Sequence, residues 1–149
     1  EQNQPGLGSA LTLVHDILQQ LESAGISPEH IYLLGFSQGA CLALEAVARR
    51  PAGYGGVFAL SGGLIGLGVN RRTFSGDLAG TPVVMGCGDV DPHIPRERFE
   101  ESAEVLRNLG AEVRDTLYSG FGHSVNQNEL DQIQQEMLRT TPPTSHKER

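Results

Sequence analysis

Residues 31–40 read IYLLGFSQGA, a short apolar run followed by a serine set between two glycines. The run has the length of a strand and no alternation, which predicts a strand buried on both faces of a parallel sheet. Residues 38–49, rich in Ala and Leu with Pro51 just beyond, predict a helix. A strand that passes into a helix through G-x-S-x-G must turn sharply, straining the central residue and pushing its side chain clear of the sheet. Gly35 and Gly39 are expected to be glycine because a Cβ at either position would meet the crossing backbone. Two readings of Ser37 follow: a tight turn that needs small residues, or a nucleophile held where a substrate reaches it.

The rest of the chain supplies the frame. Leu11, Val14, Ile17, Leu18 and Leu21 fall at helical spacing and predict a helix over 9–24 that ends at Gly25. GVFAL at 56–60 and PVVM at 82–85 read as further buried strands. Pro95 suits the first position of a helix whose apolar stripe is Phe99, Ala103, Leu106 and Leu109, with Gly110 to end it. Residues 112–118 form a fourth, more polar strand, as expected at a sheet edge. Asn126 and Glu129 resemble a capping box that opens a helix carrying Leu130, Ile133 and Met137. Residues 139–149 read as a polar, disordered tail. Strands alternating with helices predict one α/β domain over 1–149, a parallel sheet covered on both faces. The glycine-rich connection at 62–80 has no periodicity and reads as a flexible binding loop. Its glycine spacing does not fit a dinucleotide fingerprint.

Bulk properties exclude several functions. The chain has 149 residues and a formal charge of −7, which argues against nucleic acid as a partner. EQNQPGLGSA has no signal-peptide pattern, and the most apolar stretch, GGVFALSGGLIGLGV, is too short and too rich in small residues to span a membrane. Cys41 and Cys87 are too few for a disulfide scaffold and lack metal-ligand spacing, so a reducing cytoplasm is the expected location and both read as core. No metal or other cofactor is expected.

If Ser37 is a nucleophile it needs a base, and the base needs an acid to orient it. On a parallel sheet of this kind the order is Ser, acid, His, each in a loop after a later strand. The third strand runs into GCGDVDPHIP, which offers Asp89 and Asp91, and the fourth into SGFGHSV, which offers His123. All three loops fall at the carboxyl edge of the sheet, where parallel α/β folds bind ligands. Either aspartate could instead cap the following helix. The amide of Gln38, at a helix N-terminus, is a candidate oxyanion donor. His15, His30, His93 and His146 lack comparable placement and read as structural or exposed.

With GFSQGA, GGVFALSGGL, GDVDPHIP and LYSGFGHSVNQNEL in view, the chain resembles the phospholipase/carboxylesterase family of α/β-hydrolases, which includes acyl-protein thioesterases. The resemblance runs from about Gly6 to Leu138. It implies Ser37 as nucleophile, Asp91 as triad acid with Asp89 as runner-up, and His123 as base. Cys87 departs from the histidine common there, which implies altered packing beside the acid loop. The resemblance also implies a further N-terminal portion, with several strands and a loop donating a second oxyanion amide. Nothing in EQNQPGLGSA resembles that portion, so the chain reads as the C-terminal two-thirds of the fold. Without it, the strand at 31–36 is an apolar edge open to a second copy or to a missing N-terminal segment. One missing oxyanion donor would cost about 10²–10³ in rate. The expected activity is hydrolysis of carboxylic esters or thioesters by a serine hydrolase of the carboxylesterase, lysophospholipase or thioesterase type. The alternative is a truncated, weak or inactive hydrolase domain that serves as a binding or pairing module.

Overall fold

A computed structural model describes residues 4–66 and 68–140. Within them, four strands form one parallel sheet in chain order: β1 (Tyr32–Phe36), β2 (Gly56–Leu60), β3 (Pro82–Gly88) and β4 (Glu112–Tyr118). Helices α1 (Gln4–Ser23), α2 (Gln38–Arg49), α3 (Arg96–Asn108) and α4 (Gln127–Thr140) surround it. The helix α1 starts before the expected position because Leu7, four residues ahead of Leu11, continues the apolar stripe. Ile17, expected in that stripe, is instead exposed.

The two faces of the sheet are unequally covered. On one, Leu18 of α1, Leu44 of α2, and Phe99 and Leu106 of α3 pack with Val57 and Met85 into the main core. On the other, Phe58, Leu60 and Val84 meet Ile133 of α4 in a smaller cluster. Pleating explains the division, since alternate residues of a strand point to opposite faces.

Three expectations need correction. The strand β1 is not buried on both faces: it pairs with β2 alone among the described residues, and Leu34 is 65% exposed and Phe36 44%. The side of α4 turned to the sheet carries Glu129, Ile133 and Glu136, while Leu130 and Met137 are exposed. Both stripes pass through Ile133, and its packing in the cluster of Phe58 and Val84 goes with Glu129 and Glu136 turned inward in place of Leu130 and Met137. The helix α4 also runs through Arg139 and Thr140, both expected in the tail. Arg139 bonds Glu136, and the Thr140 hydroxyl meets Tyr32 Oη at 2.7 Å. Residues 141–149 lie outside the described residues.

The connection at 62–80 is anchored where a flexible loop was expected. Leu64, Val69 and Leu78 are fully buried. The buried carboxylate of Glu45 accepts hydrogen bonds from Arg49, Arg72 and the Ile65 amide, pinning the connection to α2. Burial raises the Glu45 pKa, but these donors outweigh it and hold the carboxyl below the ordinary value.

Candidate active site

The turn from β1 into α2 places Ser37 at φ 56 and ψ −118, a conformation disfavoured for any residue with a side chain. Its hydroxyl stands clear of the sheet as a result. Gly35 is required because a Cβ there would lie 2.2 Å from the Gly39 backbone. The same argument fails at Gly39, where a Cβ would meet nothing within 4 Å, so the expected collision is one-sided. Gln38 opens α2, and an amide in the first turn has no acceptor within the helix.

From this elbow a chain of hydrogen bonds runs through three loops. Ser37 Oγ lies 2.8 Å from His123 Nε2, and His123 Nδ1 lies 2.7 Å from Asp91 Oδ2. An ionised carboxylate can only accept, so Nδ1 carries the proton and Nε2 is free to accept from the serine hydroxyl. Asp91 is also held by the amides of His93 at 2.8 Å and Ile94 at 3.2 Å, both donating to Oδ1. One oxygen thus stabilises the loop while the other faces the imidazole, so capping and acid roles are compatible. Burial raises the Asp91 pKa, but His123 and the two amides prevail and keep it below the ordinary carboxylate value.

Asp89 faces elsewhere. It is exposed, and its Oδ1 accepts from the Gly120 amide at 2.8 Å, bracing the acid loop against the base loop. Gly88 brings those loops together, since a Cβ there would fall 1.8 Å from the Phe121 carbonyl oxygen. Cys87 is buried, and its thiol approaches Asp91 Oδ2 at 3.7 Å. Burial first, then the Asp91 carboxylate, pushes this thiol up to about 12, so it remains protonated.

Other contacts at the site had little or no signal in the sequence. From the sequence His93 reads as structural or exposed, yet its ring meets His123 edge-on with centroids 4.7 Å apart. Its place two residues after Asp91 was the available clue. Phe36 also meets the His123 ring, tilted against it with centroids 5.1 Å apart. The buried Ser61 hydroxyl donates to the Ser124 carbonyl at 3.0 Å, tethering the base loop one residue from His123. By contrast His15 is structural as expected, with Nε2 3.1 Å from the Ala46 carbonyl, and His30 is exposed. His146 lies outside the described residues.

Ser37 and His123 open onto a cleft of about 770 Å³, walled by Leu7 of α1, Leu42 of α2, Ile65 and Ile94. Cys41, a member of the buried core, also borders it. Among the described residues no cluster of His, Cys, Asp or Glu is arranged to hold a metal ion, and no helix is long and apolar enough to cross a membrane.

Residues 1–141 match the profile of the phospholipase/carboxylesterase family. The chain belongs to that family. A phospholipase/carboxylesterase from Dyadobacter fermentans superposes with a TM-score of 0.85 at 41% identity, covering 92% of this chain and 66% of that one. The sequence is 37% identical over 135 residues to acyl-protein thioesterase 1 of Gibberella zeae, covering 87% of this chain and 56% of the relative. It is also 29% identical over 125 residues to a probable inactive carboxylesterase of rice, Oryza sativa subsp. japonica, covering 84% of this chain and 51% of that protein. The chain therefore spans about half the length of the curated relatives it matches. As a phospholipase/carboxylesterase family member it has the α/β-hydrolase fold, and its four parallel strands are the part of that fold described above.

Proposed function

We propose that this chain carries the catalytic machinery of a serine hydrolase acting on carboxylic esters or thioesters. The observation that carries the reading is the continuous hydrogen-bonded chain Ser37–His123–Asp91 at the edge of an open cleft. His123 Nε2 takes the hydroxyl proton as Ser37 Oγ bonds to the acyl carbon. Asp91 orients the ring and stabilises the imidazolium without taking the proton itself. The Gln38 amide faces the oxyanion of the tetrahedral intermediate. Collapse of that intermediate breaks the bond to the alcohol or thiol, which leaves with the proton from His123. Water then adds to the acyl-enzyme, giving its proton to His123, and the acid departs as Ser37 recovers its hydrogen. Family membership and a cleft walled largely by apolar side chains support a small to medium acyl group.

Hydrolysis of p-nitrophenyl butyrate by the chain, beside its Ser37→Ala variant, tests this reading. Loss of about 10³-fold or more in turnover is expected in the variant. Equal turnover in both would remove Ser37 from the nucleophile role.

One observation favours a second reading, a pairing module. The apolar β1 edge has no further strand beside it among the described residues, and Leu34 is 65% exposed. Size-exclusion chromatography discriminates here, since a clean monomer at high concentration speaks against pairing through that edge.

A further inference from the structure

Resting on the hydrolase reading, this inference concerns what the cleft selects. The chain carries 18 acidic against 11 basic residues, yet among the described residues no Asp or Glu lines the cleft at Ser37. Its wall holds Arg98 together with His93 and His123. Arg98 is the one permanently charged side chain among the described residues that line the cleft, and a concave site focuses its field onto whatever enters.

Arg98 is fixed in place. Partly buried on α3, it donates from Nε to the Leu64 carbonyl at 2.6 Å and from Nη2 to the Gly63 carbonyl at 3.2 Å. Nη2 also lies 3.3 Å from Cys41 Sγ. These partners orient the guanidinium without neutralising it, because carbonyls carry no net charge. Among the described residues Arg98 has no ion-pair partner, whereas Arg49, Arg72, Arg96, Arg107 and Arg139 each meet a carboxylate. Arg98 also lines a second groove together with Arg71, Glu97 and Glu101, and neither glutamate pairs with it. Arg98 Nη1 makes no hydrogen bond among the described residues. Cys41 lies one helical turn past Ser37, whose carbonyl accepts its amide at 3.1 Å. One turn advances about 5.4 Å along the helix, a distance spanned by a few methylenes.

We propose that the cleft selects esters or thioesters bearing an anionic group, a carboxylate or a phosphate, which Arg98 holds while Ser37 attacks the acyl carbon. Arginine suits this role because its charge is permanent and the N–H donors of Nη1 remain available to an anion. The covalent step is the one described above: the Oγ–C bond forms, the bond to the alcohol or thiol breaks, and the anionic group is not consumed.

Two substrate pairs test the proposal and locate the anion. Monomethyl adipate against methyl hexanoate places it on the acyl side. Butyryl glycerol phosphate against monobutyrin places it on the leaving group. In at least one pair the anionic member is expected to be favoured by about tenfold in kcat/KM, through KM, as a charge-assisted contact would give. Added salt should shrink that preference. Arg98→Gln should bring the ratio towards one, and Arg98→Lys should recover part of it. Ratios near one in both pairs, or a ratio that Arg98→Gln leaves intact, would overturn the assignment. Should Arg98→Gln fail to fold, Arg98→Lys and the salt series on the wild-type chain decide. If none of the esters is turned over, the hydrolase reading fails by itself. Calorimetric titrations of monomethyl adipate and of butyryl glycerol phosphate into the Ser37→Ala chain then judge Arg98 separately: binding of either that the added Arg98→Gln change abolishes supports it, and absent or unchanged binding of both refutes it.

Discussion

Every residue of β3 after Pro82 is buried, whereas β1 exposes Leu34 to 65% and Phe36 to 44%. Both strands nevertheless end in the candidate site, β3 at the loop of Asp91 and β1 at Ser37. The contrast is sharpest between register partners: Leu34 lies beside Phe58 on the same face, and Phe58 is 1% exposed. The difference lies in what covers each. Ile133 of α4 reaches Phe58, while among the described residues the outer face of Leu34 has no such cover. The serine is positioned despite this because the inner face of β1 is locked. The helix α2 buries Ala40, Leu44 and Val47 completely, and Gly35 admits the Gly39 backbone. The candidate nucleophile is thus held by the helix that follows it, even on an exposed edge strand.

The comparison can be broken first at the β3 end. Asp91→Asn should lower ester turnover by about 10³–10⁴-fold, because an amide cannot hold the His123 tautomer that leaves Nε2 free. Asp89→Asn, at a side chain that holds the Gly120 amide and makes no hydrogen bond to His123, should cost less than about tenfold. Steady-state kinetics on one activated ester compares the two, and equal losses would undo the separation of their roles.

The register pair comes next. Phe58→Ala should destabilise the fold by about 3–5 kcal/mol, as expected for truncating a buried aromatic. Leu34→Ala should stay within about 0.5 kcal/mol, since little cover is lost. Urea unfolding measures both. A large cost at Leu34 would mean that its outer face is covered in solution, and a shift of that cost with protein concentration would identify pairing between copies.

The smallest effect concerns Glu129, buried beneath β3, where a Cβ on Gly86 would lie 2.1 Å from its Oε1. Desolvation raises its pKa above the ordinary 4.5, and Oε1 has no hydrogen-bond partner. A carboxyl with a raised folded pKa loses stability as pH climbs from the unfolded value through the folded one. Glu129→Gln should therefore raise the melting temperature modestly at neutral pH, with the gain fading below the ordinary glutamate range. Asp91 has the opposite sign. Its pKa is depressed, so its contribution is present above the ordinary aspartate value and is lost as pH falls through the lowered one. Thermal melts of Glu129→Gln and Asp91→Asn across pH 3–8 separate the two. A gain for Glu129→Gln that persists at low pH would refute the buried-charge account.

Much of this architecture was legible because it depends on local pattern. Continuous apolar runs marked the strands, and the reciprocal Asn126–Glu129 capping box is present, with both backbone amides bonded to the opposite side chain at 2.9 Å. The order Ser37, Asp91, His123 also came from placing polar residues in loops at one sheet edge. Burial was read less well. An apolar run says that a strand can be covered, and β1 shows that it need not be. On α4 a 3.6-residue spacing admits either Leu130 and Met137 or Glu129 and Glu136 beside Ile133, and packing turns the second pair inward.

By itself, then, the sequence determined the parallel α/β frame, the strained turn at Ser37 and the candidate partners, because each is encoded by residues near one another in the chain. Only the tertiary structure decided between Asp91 and Asp89 as the neighbour of His123, anchored the 62–80 connection through Glu45, and brought His93 and Arg98 to the cleft. Those outcomes depend on contacts between residues far apart in sequence, where a difference of a few ångströms separates a hydrogen bond from none.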